Sequence, residues 1–356
     1  MAKTYKIAVI PGDGIGKEVV PEGIRAIEAA ARKFGFGLKF HTFDWSCEQF
    51  TKTGRMMPED GLDQLKQFDA IFLGAVGFPG VPDHVSLWGL LVPIRRGFMQ
   101  YVNMRPVRLL KGLESPLKNR GPADIDMVIV RENVEGEYSS VGGRLYEGTE
   151  DEVAIQQAAF TRKGCDRIMR FAFELAKKRG KKKHVTSATK SNGISISMPY
   201  WDERFALMKN NNPDIKTDQY HIDILCSHMV RHPDWFDVLV ASNLFGDILS
   251  DLAPAVAAGI GIAPGANINP EKTYPSMFEP VHGSAPDIAG KGVANPIGQI
   301  WTGALMLEHL GEQKAADAIV AAIEKVIAET TLRTPDIGGK TKTSEMGKAI
   351  AEALSV

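Results

Sequence analysis

Residues 7–19 read IAVIPGDGIGKEV. Lys6 to Ile10 is a short apolar run of strand type. Ile15, Val19, Val20, Ile24, Ile27 and Ala31 then recur at helical spacing. The Gly12-Asp13-Gly14-Ile15-Gly16 turn therefore joins a strand to the start of a helix, where backbone N–H groups and the helix dipole favour phosphate. Its spacing is G-x-G-x-G, however, whereas the dinucleotide fingerprint is G-x-G-x-x-G, and position 17 is Lys. Asp44 lies too far along to act as the ribose acid of that fingerprint. Two readings stay open: a phosphate-binding turn, or a tight turn where only glycine fits.

The same alternation extends outward. Ala70–Gly74, Met127–Val130, His184–Ala188 and Val238–Ala241 read as strands, and Phe160–Arg179, Tyr200–Lys209 and Glu312–Thr330 as helices. This pattern predicts an α/β fold with a substantially parallel sheet. Residues 141–158 (VGGRLYEGTEDEVAIQQA) read instead as turn and alternating β, in the manner of an antiparallel arm. The 356 residues suffice for about two domains. No linker marks a boundary, so the chain is free to cross between domains more than once.

A formal net charge of -1 argues against a general nucleic-acid or anionic-membrane binder. No apolar run approaches a membrane span, and MAKTYKIAVI carries no signal-peptide core. The three cysteines are isolated. A cytoplasmic protein with no membrane or nucleic-acid partner is the expectation.

Asp247 and Asp251 stand four apart in SNLFGDILSDLAPA, on one face if the segment is helical. Together they are either a solvated acidic face or a site for a hard cation such as Mg²⁺ or Mn²⁺. Asp223 lies among strand-like apolar residues in YHIDILC, at a strand end or on a cation. Arg95 and Arg105 fall ten apart, and Arg131 ends a buried-looking strand, the place where open α/β sheets carry their sites. Arg is the fork-shaped donor for carboxylates, so the three suggest a substrate with more than one. Arg96 and Arg108 read as plain surface charges. Tyr138 and Lys190 are surface residues or an acid/base pair. FEPVHGSAPDIAGKGVANP (278–296) has the composition of a long loop whose polar groups could grip a nucleotide; an acid there would accept ribose hydroxyls and repel a 2′-phosphate.

With IPGDGIGKEV, NMRPVR, VRENVEGEY, ATKSNG, NLFGDILSDLA and EPVHGSAPDIAGKGVANP in this order, the chain resembles the β-decarboxylating dehydrogenases. That family comprises isocitrate, 3-isopropylmalate, homoisocitrate and tartrate/D-malate dehydrogenases. VGFPGVPDHVSLWG and SMPYWDERF are most similar to the tartrate/D-malate branch. The resemblance implies an isopropylmalate dehydrogenase-like two-domain fold, not a Rossmann fold. It implies a large cofactor-binding domain from 1–104 plus 257–356 and a small dimerisation domain from 105–256, with the arm near 141–158. The turn at 12–16 is then a tight turn beside the cofactor cleft.

The resemblance also implies roles. Arg95, Arg105 and Arg131 clamp carboxylate, with Trp88 and Leu91 lining the substrate pocket. Tyr138 and Lys190 are the catalytic acid and base, and Asp223, Asp247 and Asp251 are the metal ligands. Lys190 and Asp223 are supplied by the partner of a homodimer, so the active site is shared. His282, Gly283, Ser284, Ala285, Asp287, Ile288 and Asn295 bind the cofactor. Asp287 stands where NAD-using members place their ribose acid, which makes the cofactor NAD, with Mn²⁺ or Mg²⁺; a need for a monovalent cation such as K⁺ is left open. The implied reactions are oxidative decarboxylation of D-malate to pyruvate, and oxidation of tartrate to oxaloglycolate or, with decarboxylation, to glycerate.

Three rivals bear on this reading. A 3-isopropylmalate dehydrogenase is disfavoured by Trp88, which falls near the Glu of isopropylmalate-using members and narrows the pocket. A non-catalytic regulatory subunit is disfavoured because each catalytic position carries its expected residue. Phosphoryl transfer would want G-x-x-x-x-G-K-[ST], which is not found.

Overall fold

The computed structural model describes residues 3–355. The strands in chain order are β1 (Thr4–Gly12), β2 (Gly37–Thr42), β3 (Ala70–Ala75), β4 (Val102–Arg108), β5 (Asp126–Glu132), β6 (Gly142–Leu145), β7 (Val153–Gln156), β8 (His184–Thr189), β9 (Lys216–His221), β10 (Val238–Ala241), β11 (Ala266–Ile268) and β12 (Ser276–Phe278). All but β6 and β7 join one ten-stranded sheet in the order β2-β1-β3-β12-β11-β4-β5-β10-β8-β9. The pairs at both ends are parallel. The middle, from β12 through β11 and β4 to β5, is antiparallel. The expected parallel character thus holds on either side of an antiparallel centre.

Alternate residues of the central strands enter two separate cores. Ile7, Val9, Ala70, Phe72 and Phe278 belong to the larger one. Ala8, Ile10, Ile71, Leu73 and Met277 face a second core with Trp45, Leu65, Leu90, Ile94 and Phe98. Both faces are covered, which is why these strands read as continuous apolar runs rather than alternating ones. Helix Gly16–Phe34 packs against helices Ile297–Leu310, Gln313–Glu329 and Thr343–Ser355, so the two ends of the chain share one layer. Leu90 and Ile94 seat the segment that carries Trp88 and Arg95.

Strands β6 and β7 form the separate antiparallel arm expected for 141–158, and every residue of both is exposed. Asp223 lies just past a strand end, one of the two places read for it from the sequence. β9 ends at His221, and Asp223 occupies the first turn of helix Ile222–Arg231, where the helix dipole favours an acid. Among the described residues, no helix is long and apolar enough to cross a membrane.

Candidate active site

The glycine turn resolves first. Gly12 has φ +71°, and a Cβ there would fall 1.9 Å from the Ala75 carbonyl oxygen. A Cβ on Gly14, at φ +51°, would fall 2.1 Å from the Ser284 carbonyl oxygen. Only glycine permits this approach, which supports the tight-turn reading. Between them Asp13 is wholly buried. Its carboxylate accepts the N–H of Cys47 at 3.0 Å and of Gly77 at 3.1 Å. The Ile15 N–H donates to the Ser284 carbonyl at 2.9 Å, and the Gly290 N–H donates to Glu18 at 2.6 Å. The turn is therefore fastened to the 282–290 loop from the far end of the chain. A cleft of about 420 Å³ opens there, lined by Gly14, Lys17, Gly77, Phe78, Pro286 and Gly290 among others.

The loop after β12 contains neither helix nor strand until Ile297, as its composition predicts. Ile288 and Ala285 pack beside Ile15 and Val19. Ala285 holds a positive φ of +40°. Asp287 and Gly283 are exposed. His282 is buried, its Nδ1 lies 3.0 Å from the Gly283 carbonyl, and its Nε2 has no protein partner. Burial holds its pKa below the usual histidine range. The Asn295 side chain is already engaged. Its amide donates to Asp336 at 3.0 Å and its oxygen accepts the Ile297 N–H at 3.0 Å.

A second group of side chains gathers where β5 and β10 end. Arg131, the sixth residue of β5, is buried. Its Nη2 and Nε donate to Asn243 at 2.7 and 3.0 Å, and its Nη1 donates to Asp247. Helix Asn243–Ala257 can come this close because residue 246 is Gly; a Cβ there would sit 2.5 Å from that of Arg131. Glu137 holds the helix start, accepting from the Ser242 hydroxyl at 2.7 Å and the Leu244 N–H at 3.1 Å. Tyr138, next in sequence, donates its phenol proton to Asp247 at 2.6 Å. Burial, then this bond, raises the Tyr138 pKa.

Burial alone would raise Asp247, but Arg131, the Tyr138 hydrogen bond, Arg105 and Arg95 outweigh it and hold the carboxyl below its usual range. Asp251, one turn on, is raised by burial and then by the Asp247 charge, so the two carboxylates do share a face. Arg95 and Arg105 are buried beside them. Arg95 pairs with Glu279 at 2.6 Å, and Asn267 donates to the same oxygen at 2.8 Å. Arg105 donates to Asn103 at 2.8 Å. Burial, then the Arg131 charge, pushes Arg105 down to about 10. Three guanidinium groups face one another here, and Arg105 donates to an amide oxygen rather than a carboxylate, which favours an anionic ligand.

Lys190 follows β8 directly, and its ammonium meets Asp223 at 2.8 Å. That bond lowers the Asp223 carboxyl. Among the described residues of one chain, no three His, Cys, Asp or Glu side chains converge as a metal site. Asp223 is thus brought to Lys190, while Asp247 and Asp251 are brought to Tyr138 and the arginines.

Trp88 and Leu91 lie on a π-helical turn, Leu87–Leu91. Neither Arg96 nor Arg108 is a plain surface charge. Arg96 is half-buried over the Trp88 ring, and Arg108 pairs with Glu324 at 2.6 Å and lies over Trp301. Sequence reasoning also passed over Asn243, Glu137 and Glu279. Asn243 stands one helical turn before Asp247, a spacing that could have revealed it.

The chain is 59% identical to D-malate dehydrogenase [decarboxylating] of Escherichia coli (strain K12), over 99% of each chain. It is likewise 59% identical to tartrate dehydrogenase/decarboxylase of Pseudomonas putida, over 99% of each. The solved structure of isocitrate dehydrogenase from Methylococcus capsulatus superimposes with a TM-score of 0.89 at 36% identity, covering 99% of this chain and 100% of that one. The isocitrate/isopropylmalate dehydrogenase family model matches residues 6–350, and the chain belongs to that family and has its fold.

Proposed function

We propose that this chain is an NAD- and divalent-metal-dependent dehydrogenase that oxidatively decarboxylates D-malate to pyruvate and also oxidises tartrate. The observation that carries this reading is the junction of Arg131, Asp247 and Tyr138, flanked by Arg95 and Arg105. It brings carboxylate-binding, metal-binding and proton-donating groups to one place. Similarity to a D-malate dehydrogenase and a tartrate dehydrogenase/decarboxylase supports the substrate class.

Asp247 and Asp251 offer the hard oxygen donors that Mn²⁺ or Mg²⁺ takes, and a cation would relieve their mutual repulsion. Asp223 completes the set from the partner subunit. The unpartnered Nε2 of His282 and the cleft beside Gly14 fit a nucleotide. Exposed Asp287 accepts its ribose hydroxyls and selects NAD over NADP. When bound, NAD⁺ supplies the hydride acceptor, and the metal supplies positive charge where substrate oxygens become negative. Arg95, Arg105 and Arg131 hold the carboxylates. Lys190, paired with Asp223 and supplied across the dimer, takes the 2-hydroxyl proton as hydride leaves. Loss of the β-carboxylate as CO₂ leaves its electron pair on C3, which Tyr138 protonates. Trp88 and Leu91 wall the pocket at C3. A Trp88→Ala variant should therefore gain on 3-isopropylmalate relative to D-malate, by roughly ten- to a hundredfold.

The dimer is supported by an arm that is exposed on every residue, since an isolated two-stranded hairpin is marginal in water. Exposed Ile224, Val230, Leu244 and Ile248 add an apolar face on the helices that carry Asp223 and Asp247. The division into 1–104 plus 257–356 and 105–256 is supported by the sheet: β1, β2, β3, β11 and β12 come from the two ends, β5, β8, β9 and β10 from the middle.

The test is NADH formation by purified protein with Mn²⁺ and NAD⁺, on D-malate, L-malate, tartrate isomers, 3-isopropylmalate and isocitrate, with and without EDTA. EDTA-sensitive turnover strongest on D-malate or tartrate is expected. Turnover strongest on 3-isopropylmalate would keep the chemistry and overturn the substrate.

A further inference from the structure

Arg95 and Arg96 are neighbours that turn to different work. Arg95 goes inward to Glu279. Arg96 lays its guanidinium 4.8 Å from the centroid of the Trp88 ring. With the same group it donates to the Tyr138 backbone carbonyl at 2.5 Å and to the Ser140 hydroxyl at 3.3 Å. Trp88 is otherwise weakly held, being 37% exposed. Its π-helical turn is a geometry frequent at functional sites. Tyr138 belongs to a distant segment, 42 residues on from Arg96. One planar cation thus spans both. Guanidinium can stack by its face and donate along its edge at once, which an ammonium cannot.

We propose that Arg96 is a positioning residue that ties the pocket wall at Trp88 to the proton donor at Tyr138. The inference rests on the reading of Tyr138 as that donor. A substituent at C3 that displaces Trp88 then also displaces Tyr138 through Arg96. A poorly fitting substrate is penalised in turnover as well as in binding, because small misplacements of a reacting group cost rate steeply.

The experiment compares steady-state kinetics of wild type, Arg96→Met, Arg96→Lys, Tyr138→Phe and the Arg96→Met/Tyr138→Phe double variant, as dimers with NAD⁺ and Mn²⁺, on D-malate and 3-isopropylmalate. Arg96→Met is expected to lower kcat on D-malate about tenfold or more, with a smaller change in KM. In the Tyr138→Phe background the same substitution should lower kcat no further. Arg96→Lys should regain most of the kcat through the Tyr138 carbonyl, but not the wild-type preference for D-malate over 3-isopropylmalate, since the stack on Trp88 is lost. An equal kcat loss with and without the Tyr138 phenol would overturn the proposal, as would Arg96→Lys behaving as Arg96→Met. Wild-type turnover by Tyr138→Phe would instead remove Tyr138 from the chemistry, and the role of Arg96 with it.

Discussion

Tyr138 and Asp247 are joined by a 2.6 Å hydrogen bond from phenol to carboxylate, and Arg131 takes the other oxygen of the same carboxylate. The proposed acid and the proposed substrate clamp therefore meet on the carboxylate of the proposed metal ligand. Asp247→Asn should weaken Mn²⁺ binding by at least ~100-fold, since a charged donor is lost and its neighbours lose their anchor. Titration of the metal without NAD or substrate, followed by the Mn²⁺ spin-resonance signal, reads this directly. Unchanged affinity would remove Asp247 from the ligand set.

Lys190 lies with Asp223, on a different stretch of surface chemistry from Tyr138. If the site is shared across a dimer, Lys190→Met and Tyr138→Phe each keep only a small residual turnover alone but complement one another. Each mixed dimer has one site with both residues intact. Subunit exchange between the two variants should restore about a quarter of wild-type activity per site. No recovery after exchange, with mixed dimers shown to be present by mass, would place both residues in a one-chain site.

Asp13 carries three roles in no catalytic step. It closes the glycine turn, receives the start of helix Cys47–Thr53, and holds the Gly77 backbone. Asp13→Ala leaves those N–H groups buried without an acceptor. A loss of about 3 kcal/mol in unfolding free energy is expected, with a raised KM for NAD. Denaturant unfolding checks the first and initial rates the second. A variant as stable as wild type would mean that water takes over the acceptor role.

His309 packs against Phe278, and burial, followed by the Lys272 charge, pushes its pKa down to about 4. Between the unfolded value near 6.5 and this folded value, the unfolded chain binds the extra proton. Stability is therefore full above the histidine range, falls as pH drops from about 6.5 towards 4, and levels below it, by at most about 3 kcal/mol. His309→Gln should flatten the slope of Tm against pH in this window. A slope equal to that of wild type would show that other groups set it.

Much of this was legible in the sequence where spacing alone determines geometry. Asp247 and Asp251 share a face because helix period fixes it, and Arg131 ends a strand because an apolar run precedes it. Lys190 follows β8 for the same reason. What stayed hidden depends on pairing across long separations. Arg131 and Asn243 are 112 residues apart, and Arg95 and Glu279 are 184 apart. Nothing local distinguishes Arg96 from a solvated cation until Trp88 and Tyr138 are placed beside it. Asp223 does lie just past a strand end, one of the two places read for it; what the flanking Ile222 and Ile224 did not reveal is that β9 stops at His221 and the next helix takes in all three.

The sheet has its own timetable. β12 and β11 are the last strands to leave the ribosome, yet they occupy its centre, between β3 and β4. Until residues 266–278 exist, the earlier strands have no continuous ladder and remain two separate pieces, β2-β1-β3 and β4-β5-β10-β8-β9. The loop that accepts the Ile15 N–H is made later still. A growing chain therefore carries Arg95, Arg105, Arg131, Asp223, Asp247 and Asp251 before it has the frame that aims them. The cleft beside Gly14 cannot assemble until residues 284–290 have been added.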